Sequence, residues 1–472
     1  MRDVPQVAIV GCGPVGALLA NLLGLAGVET SVHEASLDPY PLPRACKLDA
    51  EIMRIFQGAG LSKEVTQLVE RCRGMDFVDS DGKRLFTYED FERSPILGWH
   101  EDYVFQQPLL DRVLREGLER FPHVDLILGS EVTDLDSVDA DFVVACDGAS
   151  SVTRRNLGIG LTDWGFDQYW LVVDLMIDGD PGLPAVIQQV CDAERPATYV
   201  PSAHGHHRWE FRLSDDENHE EFEDHRRVRE LLRPWIPDGL GEIVRAAAYR
   251  FHAVVAETWR SGRFFLAGDA AHQMPPFIGQ GMCSGIRDAA NLAWKIKSVL
   301  RYGASEVLLD SYETERRGHV ESCIAMSIEA GRLVSRQVLE LPTPDIDEQD
   351  RWSRLPPLME GLFSAGTDNR IGHQARQPRV VADGTPILLD DIGGSDWYLL
   401  SRVAFPSSNW CKTVLVDDLV DLDGGLDLLL DGRAAVLVRP DRYVFGSANE
   451  EFLGELVDAA ERLVFGRGRL TS

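Results

Sequence analysis

The sequence has few basic residues for its length. Its 472 residues include 47 lysines and arginines against 76 aspartates and glutamates, which gives a formal net charge of −29 at pH 7. Nucleic acids and anionic membrane surfaces attract positive charge, so this balance argues against both as partners. The same charge would slow an anionic substrate, and a substrate with a carboxylate would therefore need a locally positive entrance.

The sequence also lacks the cysteine and histidine spacing of a metal or redox site. The eight cysteines are scattered, without a C-x-x-C pair, so we expect reduced thiols, a cytoplasmic protein and no bound metal. The nearest thing to a ligand cluster is His204, His206 and His207. These histidines flank a glycine, without carboxylates or thiolates at ligand spacing, and we expect them to be solvated.

One long stretch is free of charge. Residues Val7 to Val28 have the length to cross a bilayer. They contain five glycines and a proline, however, and Asp3 precedes them where a signal peptide would be positively charged. We therefore interpret them as a strand, a tight turn and a buried helix, and expect no membrane association.

That stretch opens a dinucleotide-binding βαβ unit. A strand at Gln6–Val10 leads into the motif GCGPVG, an Ala/Leu-rich helix follows, and a second strand ends in an acid. We assign Gly11 to the tight turn, Gly13 to close approach of a pyrophosphate and Gly16 to helix packing. The acid, Glu34, would bind ribose hydroxyls. The predicted contacts are completed by Pro14, Val15 and Ala35. Taken alone, the motif suits either NAD or FAD.

A second stretch, Arg263 to Ile296, has the character of a flavin site. A short buried strand ends in a Gly-Asp pair, and Asp269 there suits a sugar-like hydroxyl. Gly279 and Gly281 let backbone approach a flat ligand. A helix predicted from about Met282 would direct its N-terminal amides at negative charge, which a reduced flavin carries at N1 and O2.

That order of parts resembles the second FAD fingerprint of the single-component flavin-dependent aromatic hydroxylases, which have the p-hydroxybenzoate hydroxylase fold. The run GDAAHQMPPFIGQGMCSGIRDAANLAWK, which begins at Gly268, is especially similar to the 3-(3-hydroxyphenyl)propionate hydroxylase branch. The resemblance covers nearly the whole chain, strongly to about residue 320. It implies bound FAD, NADH or NADPH as a transient co-substrate, and O2.

The resemblance also implies further cofactor contacts. Arg44 lies in a Pro-Arg-Ala segment and Gln107 just before the proline of a QP-start helix. Val132 matches a position whose backbone meets the adenine, and Asp147 belongs to a DG motif that serves both FAD and the nicotinamide. Asn291, on the helix after the second fingerprint, is the last of these expected contacts.

The fold implied is α/β (α+β), with a Rossmann-like FAD-binding domain and an inserted, mainly antiparallel substrate sheet. We expect FAD-binding residues at 1–160, with an excursion at 73–104 towards the substrate sheet, and again at 256–340. The strand-rich block 161–255 would form the substrate domain. Residues 341–384 are interpreted as a linker. Residues 385–472 resemble the family's thioredoxin-like C-terminal domain, here without a C-x-x-C motif.

The reaction implied is hydroxylation of a phenol through a C4a-hydroperoxyflavin. By position on the sheet, the substrate-side candidates are Gln189, Tyr199, His207 and Glu210, with Pro276 touching the ring from the flavin side. Tyr199 would hydrogen-bond a phenolate or, equally well, pack in a core. Arg208 or Arg212 would hold a substrate carboxylate.

Substrate identity stays open between a 3-(3-hydroxyphenyl)propionate-like acid, a related phenol and a polyketide or other secondary-metabolite phenol. A non-hydroxylating FAD oxidoreductase is the less favoured alternative, and the W-x-W-x-I-P signature of a halogenase is missing. A non-catalytic scaffold would have no reason to keep the flavin-contacting residues. We expect a homodimer.

Overall fold

The computed structural model describes residues 4–42, 44–89, 96–335, 355–366 and 368–466. Its first sheet is largely parallel, with strand order β15-β16-β9-β1-β2-β8. The bounds of these strands are β1 (Val7–Val10), β2 (Thr30–Glu34), β8 (Val124–Leu128), β9 (Phe142–Ala145), β15 (Arg260–Ser261) and β16 (Phe264–Leu266). β1 and β9 are buried along their whole length, as expected for central strands of a parallel sheet covered on both faces.

Helices pack against this sheet and connect its strands. The first, α1, begins at a proline, whose missing amide costs nothing at that position. The helix bounds are α1 (Pro14–Leu25), α2 (Ala50–Gly58), α3 (Ser62–Thr66), α4 (Gln107–Glu116), α5 (Val152–Asn156), α6 (His225–Leu232), α7 (Gly281–Tyr302), α8 (Val307–Val334), α9 (Leu389–Gly393), α10 (Gly425–Leu430) and α11 (Leu453–Phe465).

The second sheet has the strand order β17-β14-β10-β13-β12-β11-β5-β6. It is antiparallel except where β11 pairs parallel with β5. Its strand bounds are β5 (Gly74–Val78), β6 (Arg84–Glu89), β10 (Leu161–Met176), β11 (Ile187–Val190), β12 (Ala197–Pro201), β13 (His206–Arg212), β14 (Glu242–Ala256) and β17 (His272–Gln273). A small sheet between the two contains β3 (Lys47–Asp49), β7 (Asp102–Phe105) and β4 (Val69–Arg71).

The C-terminal region forms a mixed four-stranded sheet flanked by helices, as in a thioredoxin-like domain. Its order is β21 (Cys411–Leu415), β20 (Trp397–Ser401), β23 (Ala435–Val438) and β24 (Val444–Ala448). A three-stranded sheet beside it contains β19 (Thr385–Leu388), β18 (Arg379–Ala382) and β22 (Val420–Asp421). Because β18 is paired on both sides, the end of the expected linker 341–384 belongs to this domain; residues 341–354 lie outside the described residues.

The predicted fold class is confirmed by this architecture and by the solved structures reported below. The differences are local. The helix expected from Met282 begins one residue earlier, at Gly281. Within the described residues, no helix has both the length and the apolar character needed to span a membrane.

Candidate active site

The glycine motif forms a tight turn between β1 and α1. Gly11 has φ +96°, and a Cβ there would lie 2.5 Å from the carbonyl oxygen of Cys146. A Cβ on Gly16 would meet the Gly11 carbonyl oxygen at 2.0 Å, so the helix packs directly on the turn. A Cβ on Gly13 would meet nothing within 4 Å. This exposed backbone is the cradle that a pyrophosphate requires.

Pro14 and Val15 follow in the first turn of α1. Pro14 is buried as the first residue of the helix. Val15 packs against the second fingerprint, because Cβ atoms added at Gly268 and Gly285 would lie 3.0 and 2.6 Å from its Cγ2. The two cofactor segments, more than 250 residues apart in sequence, are thereby held against one another.

Glu34 lies beside the same turn. Its carboxylate accepts hydrogen bonds from the amides of Cys12 (2.7 Å) and Ser36 (2.9 Å). The Nη2 atom of Arg115 is 3.6 Å away. Ala35 follows at the exposed end of β2. The carboxylate is therefore fixed at the position expected for a ribose contact.

Asp269 lies in a short 3-10 turn at Gly268–Ala270. Its carboxyl reaches solvent, yet the surrounding protein raises its pKa, while His272 and Arg44 act in the opposite direction. Asp288 on α7 holds the turn by accepting bonds from the Gly268 amide (3.1 Å) and from His272 (2.7 Å). His272 thus orients the loop.

The N-terminus of α7 follows the Pro-rich loop. Gly279 adopts φ +68°, and no side chain caps the helix. The first amides of an α-helix have no partner within the helix. Those of Gly281 and Met282, at the start of a 22-residue helix, are therefore available to donate to an anion. These donors match the negative charge of a reduced flavin, and the residues present therefore fit FAD.

The structure brings Arg44 and Gln107 together. The Oε1 atom of Gln107 accepts hydrogen bonds from the backbone amides of Arg44 (3.2 Å) and Ala45 (2.7 Å). Gln107 itself is buried. Its side chain therefore holds the backbone at Arg44 and Ala45 in place. The exposed side chain of Arg44 extends over the ring of Tyr40.

Three further expected contacts have different surroundings. Both carboxylate oxygens of Asp147 are used at the start of α5, by Ser151 Oγ (2.5 Å) and the Thr153 amide (3.0 Å). Val132 is buried in a small apolar cluster beside β1. Asn291 is about 15 Å along α7 from Gly281.

The side chain of Asn291 belongs to a different interface. Its Nδ2 atom donates to Glu315 (2.8 Å) and Asp441 (2.9 Å), and Asp441 is part of the C-terminal domain. The amide donors are consumed by this packing. This position and these partners do not support the expected cofactor contact of Asn291, which stays a prediction.

The substrate sheet has two chemically different faces. Gln189, Thr198 and Glu210 are register partners across β11, β12 and β13, and so share one face. Two contacts show that this face meets the FAD-binding domain: Arg208 donates to the Arg44 carbonyl oxygen (2.6 Å), and Trp170 packs on Phe277 at 5.1 Å between ring centroids. We call it the inner face.

Tyr199 and His207 lie on the opposite, outer face. Tyr199 is fully buried with Trp209 and the apolar side of α6, and its hydroxyl hydrogen-bonds with His207 Nδ1 (2.9 Å). Burial raises the pKa of the Tyr199 hydroxyl. Neighbouring residues of a strand point to opposite faces, so this position does not support the expectation that the two residues contact the substrate.

The inner face carries a buried charge cluster around Asp174. Its carboxylate pairs with Arg208 (2.8 Å), His206 (2.8 Å) and Arg245 (3.5 Å). Burial alone would raise the pKa of Asp174, but Arg208 and the bond from His206 lower it to about 2. The expectation of solvated histidines is therefore wrong for His206 and His207, which are buried on β13; His204 is exposed.

Glu210 lies beside this cluster, but its carboxylate forms no close ion pair with the cations of the cluster. The nearest cation is Arg208, whose Nη1 is 3.8 Å away, and among the described residues no hydrogen bond ends on its carboxylate. Burial raises the pKa of Glu210 although Arg208 works against it. A buried carboxyl group with a raised pKa is suited to proton exchange.

The Pro275–Pro276 loop is held in place by contacts with α8 and β10. Ser327 on α8 donates to the Pro275 carbonyl oxygen at 2.6 Å, and Phe277 is buried against Trp170 and Phe166. Pro276 remains half-buried at the loop surface.

Gln189 is buried on the inner face, and its side-chain oxygen accepts a hydrogen bond from Thr198 Oγ1 (2.7 Å).

Sequence reasoning did not find Asp288 or Asp174. Each gathers partners from distant parts of the chain, including Arg316 on α8 for Asp288 (2.9 Å). One signal was present: in β13 the charged residues alternate with aromatic ones, which separates the two faces of a strand. Among the described residues, no group of His, Cys, Asp and Glu is arranged to hold a metal ion.

Comparison with known proteins gives a consistent result. The profile of the family described as "FAD binding domain" matches residues 5–327. A Rhodococcus jostii protein named "Probable NADH-specific resorcinol 4-hydroxylase" is 33% identical, over 98% of this chain and 95% of its own. A 3-(3-hydroxy-phenyl)propionate/3-hydroxycinnamic acid hydroxylase of Burkholderia cenocepacia is 33% identical, over 94% of each chain.

Solved structures support the fold. Aklavinone-11 hydroxylase, solved with FAD and aklavinone, superposes with a TM-score of 0.80 at 21% identity and covers 99% of this chain and 100% of its own. Anhydrotetracycline hydroxylase from Streptomyces rimosus has a TM-score of 0.80 at 23% identity, over 98% and 99% of the two chains. With the family profile and the curated relatives, these findings place the chain in the FAD-binding family of flavin-dependent aromatic hydroxylases, as a flavoprotein monooxygenase.

Proposed function

We propose that this monooxygenase uses NADH or NADPH and O2 to hydroxylate a single-ring phenol with a second substituent meta to the hydroxyl. Two curated relatives that cover nearly the whole chain are named for such substrates, resorcinol and 3-(3-hydroxyphenyl)propionate. The observation that carries the proposal is Glu210, a buried carboxyl with a raised pKa on the inner face of the substrate sheet.

The bound FAD supplies the oxygen chemistry, and the protein holds the cofactor and the ring. We propose that the cofactor is held by the residues that the geometry groups around the glycine turn, the Asp269 turn and the start of α7: Gly11, Gly13, Pro14, Val15, Gly16, Glu34, Ala35, Arg44, Asp269, Gly279, Gly281 and Met282. Gln107 contributes through the Arg44 backbone. We propose that Val132 and Asp147 contact the cofactor through their backbone atoms, because their side chains are engaged elsewhere.

Glu210 is the proposed proton acceptor for the phenol. A phenolate ring is more electron-rich than a phenol, so removing this proton favours attack on an electrophilic oxygen. The carboxylate can take the proton because it is not already neutralised by a close ion pair, with Arg208 at 3.8 Å. Gln189 would orient the ring, and Pro276 would close the flavin side. The packed inner face would keep water out of the reaction.

A carboxylate on the substrate would need a cation that is not already occupied. Arg208 is committed to Asp174 and to the Arg44 carbonyl oxygen, so it is a poor anchor. Arg212 is half-buried and pairs in register with Trp170, which puts it on the inner face. We therefore propose Arg212 as the carboxylate partner if the substrate is an acid.

The test is oxidation of NADH and NADPH by the FAD-loaded enzyme with 3-(3-hydroxyphenyl)propionate, resorcinol and a tricyclic phenol, with hydrogen peroxide counted in parallel. We expect one of the single-ring phenols to accelerate oxidation with little peroxide and to yield a dihydroxylated or trihydroxylated ring. Acceleration by the tricyclic phenol alone would replace this proposal with a polyketide substrate. Oxidation without any hydroxylated product would favour a non-hydroxylating oxidoreductase.

Arg212→Gln separates the two single-ring substrates. With an acid substrate we expect KM to rise by about 10- to 100-fold, because a charge-assisted hydrogen bond is worth about 1.5–3 kcal/mol. With resorcinol, KM should change less than twofold.

Two finer proposals have separate tests. Light scattering of the purified enzyme tests whether it is a homodimer, and fractionation of the source cells tests whether it is cytoplasmic.

A further inference from the structure

The C-terminal domain inserts one turn into the FAD-binding domain. The turn Arg439–Tyr443 joins β23 to β24, and Arg442 within it adopts φ +71°, a conformation that side chains other than glycine rarely take. Tyr443 is buried, and its hydroxyl donates to Glu51 Oε1 on α2 at 2.9 Å. An unfavourable backbone conformation persists only where surrounding contacts fix it.

A continuous chain of hydrogen bonds runs from this turn to the start of α7. The other oxygen of Glu51 accepts from Arg287 Nε (2.6 Å). Arg287 Nη1 donates to Gln280 Oε1 (2.8 Å), and its Nη2 donates to Asp49 (2.6 Å). Gln280 in turn donates to Asp49 (3.0 Å). Gln280 is the residue immediately before Gly281, where the helix amides of the proposed flavin site begin.

This chain has little freedom to rearrange. Arg287 is 2% exposed and Gln280 4%, and each of the three guanidinium nitrogens donates to one acceptor. Burial would raise the pKa of Asp49, but Arg287 lowers it below its usual range. Because every group is paired and all but the partly buried Asp49 are buried, displacing one end requires the others to follow.

We infer that Tyr443 is a positioning residue for the flavin, acting through Glu51, Arg287 and Gln280 on the amides at the start of α7. The C-terminal domain thereby sets the electrostatic environment of the cofactor without touching it. The inference rests on the proposed placement of the flavin at Gly281. Loss of the Tyr443 hydroxyl leaves Glu51 Oε1 with Gln374 as its remaining donor (2.8 Å) and releases one constraint on Arg287.

The test compares Tyr443→Phe with Tyr302→Phe. Tyr302 also joins α7 to the C-terminal domain, since its hydroxyl donates to Asp396 (3.0 Å), but it lies at the far end of the helix, about 31 Å from Gly281. Each substitution removes one hydroxyl at the same domain interface. Only the first hydroxyl belongs to the chain that ends at Gln280.

We expect Tyr443→Phe to raise the FAD dissociation constant about three- to tenfold, as the loss of one hydrogen bond implies. Its flavin reduction potential should become more negative, because displaced amides stabilise the anionic reduced flavin less. Glu51→Gln, which keeps the side-chain shape, should shift both quantities in the same direction. Tyr302→Phe should lower the melting temperature without shifting either.

Equal behaviour of the two tyrosine variants, with unchanged potential and FAD affinity, would overturn the inference. Titration of FAD and measurement of its potential need no aromatic substrate, so this result is independent of whether phenols are hydroxylated. If the wild-type protein hydroxylates its phenol but the variants do not differ, the inference alone fails. If the wild-type protein does not bind FAD, both this inference and the proposed function fail.

Discussion

Two buried glutamates show how differently the same side chain is used in this molecule. Glu315 on α8 is fully buried and accepts bonds from Lys295, Asn291 and Arg439, the last through both oxygens. Burial would raise its pKa, but Arg439 and Lys295 hold it well below its usual range. Glu210 has a single cation at 3.8 Å, and its pKa is raised.

The difference separates structural charge from reactive charge. A carboxylate surrounded by donors is held in its charged form, because these donors lower its pKa. A buried carboxylate with one distant partner takes up a proton more readily, because burial raises its pKa. Pairs of like residues whose surroundings move their pKa values in opposite directions are therefore informative about function. Four experiments test this contrast.

The largest expected effect is on stability, at Glu315. Glu315→Gln leaves Lys295 buried without its carboxylate partner and Arg439 with Asp441 as its remaining carboxylate, and breaking buried ion pairs in this way destabilises a protein by about 3–5 kcal/mol. Denaturant unfolding measures this loss. Glu321→Gln on the same helix is the control, since Glu321 lies 3.8 Å from Arg317 at the surface and should change stability by less than about 1 kcal/mol. Equal losses of stability in the two variants would mean that the buried ion pairs of Glu315 contribute no more than the surface pair of Glu321.

The second effect is on catalysis, at Glu210. Glu210→Gln should lower kcat by about 100-fold or more, as for other general bases, with FAD affinity unchanged. In the wild type, activity should fall as the pH drops below the raised pKa of Glu210, and this acidic limb should be absent from the variant. Glu242→Gln, an exposed position on β14, is the control. An unchanged acidic limb in Glu210→Gln would exclude this residue as the base.

The third effect concerns Asp174, whose pKa of about 2 lies below the ordinary aspartate value of 3.8. A depressed pKa in the folded state means that its stabilisation is complete above about pH 4 and is lost as the pH falls towards 2. The shift corresponds to roughly 2 kcal/mol. Asp174→Asn should remove this part of the acid dependence of unfolding. A variant with the same acid profile as the wild type would contradict the assignment.

The smallest effect distinguishes the two faces of the substrate sheet. Tyr199→Phe removes the bond to His207 inside the aromatic core and should cost about 1 kcal/mol of stability. Its kcat should stay within twofold of the wild type, because the side chain faces away from the flavin side. A large loss of kcat at full FAD loading would restore Tyr199 as a substrate contact.

The sequence predicted the local shape of the expected cofactor segments because each is short and contiguous. The glycine turn with Glu34, and the Asp269 turn with the start of α7, carry their geometry in local spacing. The face on which Tyr199 lies was not predictable in the same way, because it depends on which strands pair and on what covers them, and neither is local. The network between Glu51, Arg287 and Tyr443 was not predictable, because no pattern marks partners more than 200 residues apart.

The parallel pairing of β5 with β11 has a consequence for protein engineering. The substrate sheet is completed by a hairpin from an early part of the chain, residues 74–89. A fragment limited to residues 161–256 would leave β11 as an open edge, which invites self-association. We therefore expect chimaeras between relatives to retain substrate preference only when residues 74–89 and residues 161–256 are exchanged together. The part that has to be exchanged is thus made of two separate stretches of the sequence.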